Sequence, residues 1–281
     1  MRKVMVRNER MGNRRGKLKV FLGMFAMMFM VFAGNLPVSA AGSRDFNKTK
    51  TVSISDSEAH MVSGKFTWIK YKAPKNGYIT VAAEFGSRKY NRSEGYWRLY
   101  ASNKKTALSE KNIPYSVGVY NTGSKHARQS IFGVKKGTTY YLRVQAYDGV
   151  RISCKFKEVK EKCGNKRSKA PVLKKNKSVT GLILPKDKNK DWYKIRIKKA
   201  QYIQLFYDIK SDGKFKISFC SIIGSKLQSG KFGYTSSARR LVMKQHNSVT
   251  NKNSKINAGT YYIKVEPVNK YSSGYYRLRW E

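Results

Sequence analysis

Three histidines, three cysteines and 16 acidic residues are what this chain of 281 positions offers for acid–base, nucleophilic or metal chemistry. His60, His126 and His246 lie far apart in polar, loop-like stretches, where a lone histidine is ordinarily a solvated side chain. Cys220 ends the strand-like run Phe215-Lys216-Ile217-Ser218-Phe219-Cys220, where a thiol behaves as a small hydrophobe. Cys154 and Cys163 stand nine positions apart, and spacing alone leaves open whether they are bonded. Asp187, Asp191, Asp208 and Asp212 flank two turns, but calcium wants roughly six to eight oxygens, and the surroundings are basic. No H-E-x-x-H, G-x-S-x-G, P-loop or G-x-G-x-x-G occurs. The expectation is therefore no catalytic residue, no metal and no cofactor.

The chemistry that is abundant is cationic and aromatic. Lys and Arg number 59, giving a formal net charge of +43, and aromatics make up 13% of the chain. A potential of that sign attracts anionic partners and weakens with salt. The 40% hydrophobic content is too high for a disordered basic tail. The expected object is a folded, very basic protein.

The first 40 residues read as an address. A basic stretch from Arg2 to Lys19 precedes the uncharged apolar run Val20 to Ala33, then Gly34-Asn35-Leu36-Pro37 and the small residues Val38-Ser39-Ala40-Ala41. That is the layout of a secretory signal peptide, and the run is shorter than the roughly 18–20 apolar residues of a spanning helix. Whether the segment is cleaved or kept as an anchor is open. Either way the remainder is expected to be exported, with no transmembrane segment after signal cleavage.

The rest repeats. Trp68-Ile69-Lys70-Tyr71-Lys72 and Tyr78-Ile79-Thr80-Val81 recur 124 positions later as Trp192-Tyr193-Lys194-Ile195-Arg196 and Tyr202-Ile203-Gln204-Leu205. Gly137-Thr138-Thr139-Tyr140-Tyr141-Leu142-Arg143-Val144 recurs as Gly259-Thr260-Tyr261-Tyr262-Ile263-Lys264-Val265. This period is too long for a solenoid and suits two tandem domains. The organisation read from it is a signal peptide at 1–40, a short lead at 41–47, a first domain at 48–158, a basic linker at 159–175 and a second domain at 176–281. Like charges should keep the linker extended. Short alternating runs rich in Tyr, Ile, Val and Phe, separated by Gly, Asn, Ser and Lys clusters, give about eight strands per unit, the pattern of an all-β sandwich.

Period-two alternation sorts the faces. Ile69, Tyr71, Ala73, Ile79, Val81, Trp97, Leu99, Tyr140, Leu142 and Val144 should point into the first core. Tyr193, Ile195, Ile197, Ile203, Leu205, Tyr261, Ile263, Val265, Tyr276, Leu278 and Trp280 should point into the second. The opposite faces carry Trp68, Lys70, Lys72, Tyr96, Arg98, Tyr100, Tyr141 and Arg143 in the first unit. In the second they carry Trp192, Lys194, Arg196, Tyr262, Lys264, Tyr275 and Arg277. Rings can stack on sugars or bases while the cations pair with phosphate or carboxylate, so these are the candidate ligand-binding residues. Cross-strand packing alone also favours exterior aromatics.

Asp191-Trp192-Tyr193-Lys194-Ile195, Ala258-Gly259-Thr260-Tyr261-Tyr262-Ile263-Lys264-Val265 and Gly274-Tyr275-Tyr276-Arg277-Leu278 resemble the bacterial pre-peptidase C-terminal domain. The second unit matches over nearly its whole length. The first departs from the pattern, with Thr67 for the leading Asp and Lys136-Gly137-Thr138-Thr139 for Ala-Gly-Thr. The resemblance implies two tandem jelly-roll-like β-sandwich domains, of a kind commonly appended to secreted bacterial proteases. Some relatives, the collagen-binding domains of clostridial collagenases, bind protein fibres and use calcium.

These readings converge on a secreted or cell-surface, non-catalytic binding protein. Its expected partner is an anionic extracellular polymer, such as a wall polymer or acidic polysaccharide, or a matrix protein. An accessory module of an extracellular protease system and a nucleic-acid-binding surface protein are the alternatives.

Overall fold

In the computed structural model, residues 40–41, 51–53, 59–85, 92–110, 113–118, 129–188, 190–247 and 252–281 are described. Apart from Ala40, the expected leader lies outside them, as does His126. Among the described residues the regular secondary structure is strand apart from one 3-10 turn at Arg167–Lys169, and no helix is long and apolar enough to cross a membrane.

Two long strands organise the first half. β3 (Ala59–Lys72) runs antiparallel to β8 (Thr139–Glu158), and their register breaks between Val62 and Thr67. The second partner of β8 changes across this break, from strand Arg92–Tyr100 before it to strand Gly77–Phe85 after it, within one eight-stranded sheet whose hydrogen-bonded neighbours sort into two layers. In one layer the order is β6 (Ile113–Gly118), β5 (Arg92–Tyr100), the start of β8 and the end of β3. In the other it is β7 (Gln129–Val134), β4 (Gly77–Phe85), the end of β8 and the start of β3. Short β1 (Ala40–Ala41) and β2 (Thr51–Ser53) lie parallel to β3.

The second half repeats this plan with the long strands cut in two. One sheet has the order β13 (Lys226–Phe232), β12 (Phe215–Cys220), β17 (Gly259–Pro267), β10 (Asp191–Ile197). Its partner has the order β14 (Arg239–Met243), β11 (Ile203–Asp212), β18 (Ser273–Trp280), β9 (Ser178–Ile183). A small hairpin, β15 (Gln245–Asn247) with β16 (Lys252–Ser254), stands apart from both. The sequence repeat is thus a repeat of register: Tyr71 pairs with Tyr140 as Ile195 pairs with Tyr261. The fold class is that expected, all-β sandwiches.

Each half has its own core. Ile69, Tyr71, Ile79, Val81, Trp97, Leu99, Leu142 and Val144 meet in the first. Tyr193, Ile195, Leu205, Ile263, Val265, Tyr276, Leu278 and Trp280 meet in the second. Every inward position named from alternation is buried except Tyr261, which is half-buried and stacked on Phe219.

Residues 159–175 do not behave as an extended linker. Gly164 bridges Trp192, Val172 bridges Lys194 in parallel, and Leu173 is buried in the second core, where its carbonyl accepts a 2.7 Å bond from Trp280 Nε1. Like-charge repulsion there is weaker than burial of Leu173 and the ladder bonds to β10. The segment plays the part that β2 plays beside β3.

The halves also touch within the single unit Val38–Glu281. β7 lies against β18 and β11, and the Tyr78 and Tyr275 rings meet at 5.4 Å. Gly133 of β7 sits so close that a Cβ there would lie 2.3 Å from the Ile183 carbonyl oxygen.

Candidate ligand-binding face

The outer face of the first half's β6–β5–β8–β3 layer collects most of the candidates from that half. Antiparallel pairing places them in rows. Trp68, Arg143 and Arg98 form one row, and Lys70, Tyr141 and Tyr100 the next, with Lys72 opposite Thr139 beyond. Lys70 and Lys72 are exposed; Trp68, Tyr141, Arg143 and Arg98 are half-buried; Tyr96 is 37% exposed.

Tyr100 departs from its expected exposure. It shares the outer face but is only 7% exposed, with its ring edge-on to Trp68 at 5.1 Å. Trp68 and the guanidiniums of Arg98 and Arg143 pack against it, and the loop after β5 adds a cation to the neighbouring rings. Asn103 Oδ1 accepts from the Lys105 and Thr106 N–H groups, which turns the chain, and Lys104 adopts φ 54°. Lys104 Nζ then sits 4.7 Å from the Tyr141 ring and 5.5 Å from Trp68. Sequence reasoning missed Lys104; the turn signature Ser102-Asn103-Lys104-Lys105 was the available signal.

The rings hold cations. Arg98 and Arg143 are directly opposed across β5 and β8, and both guanidiniums lean on the Tyr100 ring, at 5.5 and 5.8 Å. Arg143 also lies 4.8 Å from the Phe66 ring, another residue not singled out from sequence. Directly opposed like charges destabilise a sheet by roughly 0.2–1 kcal/mol, while each cation–π contact returns about 0.5–2 kcal/mol. Neither arginine has a carboxylate partner among the described residues, and Arg98 Nε is buried without a hydrogen bond there. Two fixed guanidiniums facing one another can take a phosphate, sulfate or carboxylate between them.

The equivalent face of the second half is built alike but is quenched and covered. Trp192 opposes Lys264, and Lys194 opposes Tyr262, in the register of Trp68 with Arg143 and Lys70 with Tyr141. Ser218 stands where the first half has Arg98. Glu266 approaches Lys264 at 2.9 Å, Lys216 at 3.6 Å and Lys190 at 3.8 Å. Burial pushes the Glu266 carboxyl up, but the three lysines outweigh it and hold it below the usual range. The corresponding first-half residue, two beyond Arg143, is the uncharged Gln145. Tyr262, expected outside, is 8% exposed because the 164–173 segment lies over it, bringing Ala170 into contact and Arg167 to 5.9 Å from its ring. Trp192 is half-buried in the same cluster, and Arg196 is exposed.

Tyr275 and Arg277 do not join either face. They lie on β18 in the other layer, where Tyr275 packs on Tyr78 and Arg277 reaches Asp208 at 3.4 Å.

The second half also holds a buried polar chain. Tyr193 and Tyr276 share a 2.8 Å hydroxyl contact, and Tyr276 donates to Asp191 Oδ2 at 2.6 Å. The Cys163 thiol donates to Asp191 Oδ1 at 3.3 Å and to Glu161 Oε1 at 3.1 Å. Burial raises the Asp191 carboxyl to about 6, against the pull of Tyr276. Burial and the adjoining carboxylates push the Cys163 thiol up. A protonated sulfur whose one proton can go to either of two carboxylates forms part of a hydrogen-bonded knot and is poorly disposed to act as a nucleophile. No disulfide joins Cys154 and Cys163; Cys154 belongs to the first core. The His60 and His246 side chains lie outside the description.

No family model and no curated protein matches the chain. Solved structures that align with it include tripeptidyl peptidase 2, with TM-score 0.28 and 10% identity over 81% of this chain and 24% of that one. Another is the M60 catalytic domain with the CBM51-1 and CBM51-2 domains from Clostridium perfringens ZmpB, with TM-score 0.24 and 6% identity over 80% of this chain and 34% of that one. A third is PNGF-II, with TM-score 0.21 and 11% identity over 83% of this chain and 63% of that one. The chain thus spans less than two thirds of each of these three.

Proposed function

We propose that the protein is a secreted or cell-surface binding protein that performs no catalysis and holds an anionic extracellular polymer, a wall polymer or acidic polysaccharide. The first half's outer face is the main site. The observation that carries this reading is the opposed pair Arg98 and Arg143, braced on one Tyr100 ring and lacking a carboxylate partner among the described residues. Lys70 and Lys72 on β3 and Lys104 on the loop after β5 extend the cationic surface of this layer, and the net charge of +43 steers polyanions toward it. The half-buried rings act less as stacking platforms for the ligand than as supports that fix the cations. The resemblance to pre-peptidase C-terminal domains is part of this proposal, since such domains accompany exported proteins.

The test is retention of residues 41–281 on bacterial wall preparations before and after removal of teichoic acid, on a neutral polysaccharide and on single-stranded DNA. The proposal expects retention that disappears with the teichoic acid and is absent on the neutral polymer. Stronger retention on DNA than on wall would favour the nucleic-acid reading. Equal retention on every anion would reduce the site to unspecific electrostatics.

A further inference from the structure

We propose that the turn between β12 and β13 is a docking tip for an anionic lipid bilayer. The turn is tight: Ser221 N–H donates to the Ser225 carbonyl and Gly224 N–H to the Ser221 carbonyl, each at 2.9 Å. Ile222 and Ile223 occupy its centre and are 61% and 75% exposed, the most exposed of the large apolar side chains among the described residues. Turn centres favour Gly, Asn, Asp and Ser, and β-branched aliphatics favour strands. The fold gains nothing from two isoleucines here, and a local rule broken without structural gain points to a use outside the fold.

The equivalent connection in the first half begins Ala101-Ser102-Asn103-Lys104-Lys105-Thr106, which is polar. The tip is therefore not an inherited feature of the duplicated sandwich. It is also framed by cations. The Arg167 guanidinium lies against Gly224, exposed Lys166 borders the same open groove of about 620 Å³, and exposed Lys226 starts β13. Trp192 and Tyr262 line the same groove. Cys220, at the foot of the turn, feels the charges of Lys264, Arg167 and Lys216 against the one carboxylate of Glu266.

Exposed aliphatic residues on a turn, with Lys and Arg beside them and an indole in the same groove, match a bilayer interface: the isoleucines enter the acyl boundary and the cations meet lipid phosphates. Two side chains on a turn offer far less than the roughly 800 Å² per partner of a stable protein interface. A bilayer needs no such area or matching shape. This site is separate from the Arg98–Arg143 face and does not rest on the polymer-binding proposal.

The test places an environment-sensitive fluorophore on Ile223→Cys in the full chain carrying Cys163→Ser, since Cys154 and Cys220 are buried. A probe at this position reports on the turn alone, whatever else in the chain binds vesicles. The proposal expects a blue shift and a several-fold intensity gain on vesicles of equal parts phosphatidylcholine and phosphatidylglycerol. It expects little change on phosphatidylcholine alone, loss of the signal in Ile222→Asp, and no response from a probe on Lys199→Cys. The absence of a shift while the chain co-sediments with the mixed vesicles would overturn it. So would a shift that grows with protein concentration without vesicles, which would make the occupant a second copy of the chain.

Discussion

Arg98 and Arg143 carry the proposed function at the level of single residues. Their opposition costs the fold a little and is offset by Tyr100 and Phe66. Arg98→Gln with Arg143→Gln should therefore leave thermal stability unchanged or slightly lower while weakening polymer binding; a large fall in melting temperature would show that the pair is structural. Asp191 gives a second, independent prediction. Its folded pKa of about 6 lies above the unfolded value of about 3.9, so the folded chain holds the extra proton between them. Stability from this carboxyl is full below the unfolded value and is lost as pH rises through the folded one. Glu161, Cys163, Asp187, Tyr193 and Tyr276 are the titratable groups around it. Asp191→Asn keeps an acceptor for Tyr276 and should remove about 2 kcal/mol of the stability lost between pH 4 and pH 7 in denaturant titrations. An unchanged pH profile would count against a buried, protonating Asp191.

At the level of elements, the 164–173 segment replaces a free linker with a docked edge. Leu173→Ala should destabilise the second half by about 2–5 kcal/mol, and hydrogen exchange should then quicken along β10 before the first core is affected. Alternation was enough to read which way each strand's side chains point, because period two follows from backbone geometry. It could not say what lies over an outward side chain. Tyr100 and Tyr262 point outward and are buried all the same, Tyr100 among Trp68, Arg98 and Arg143 and Tyr262 beneath the 164–173 segment. Strand period does not encode Lys104 or Arg167 either: loop and linker bring them to the rings, and only the turn signature around Asn103 hinted at the first. The duplication was legible from Trp68 and Trp192 onward. The joining of strands across layers in β3 and β8 was not, because a strand glycine such as Gly64 signals an irregularity without saying which partners lie on either side of it.

The unit Val38–Glu281 holds two separately cored sandwiches, with β7 lying against β18 and β11. Gly133 allows backbone to approach backbone there, and Gly133→Val should cost about 1–3 kcal/mol and loosen the Tyr78–Tyr275 contact, read as increased proteolysis between the halves. Duplication has given the halves unequal electrostatics: Glu266 neutralises the second face, while Gln145 leaves the first one positive. The central claim is that this first face grips a polyanion. Its most direct test is the salt dependence of affinity for purified wall teichoic acid, compared between the parent chain, Arg98→Gln with Arg143→Gln, and Lys264→Gln. The account predicts an affinity that falls steeply with salt in the parent, at least about a tenfold loss with a shallower slope in the double variant, and little change in Lys264→Gln. A double variant with the parent's affinity and slope would contradict it.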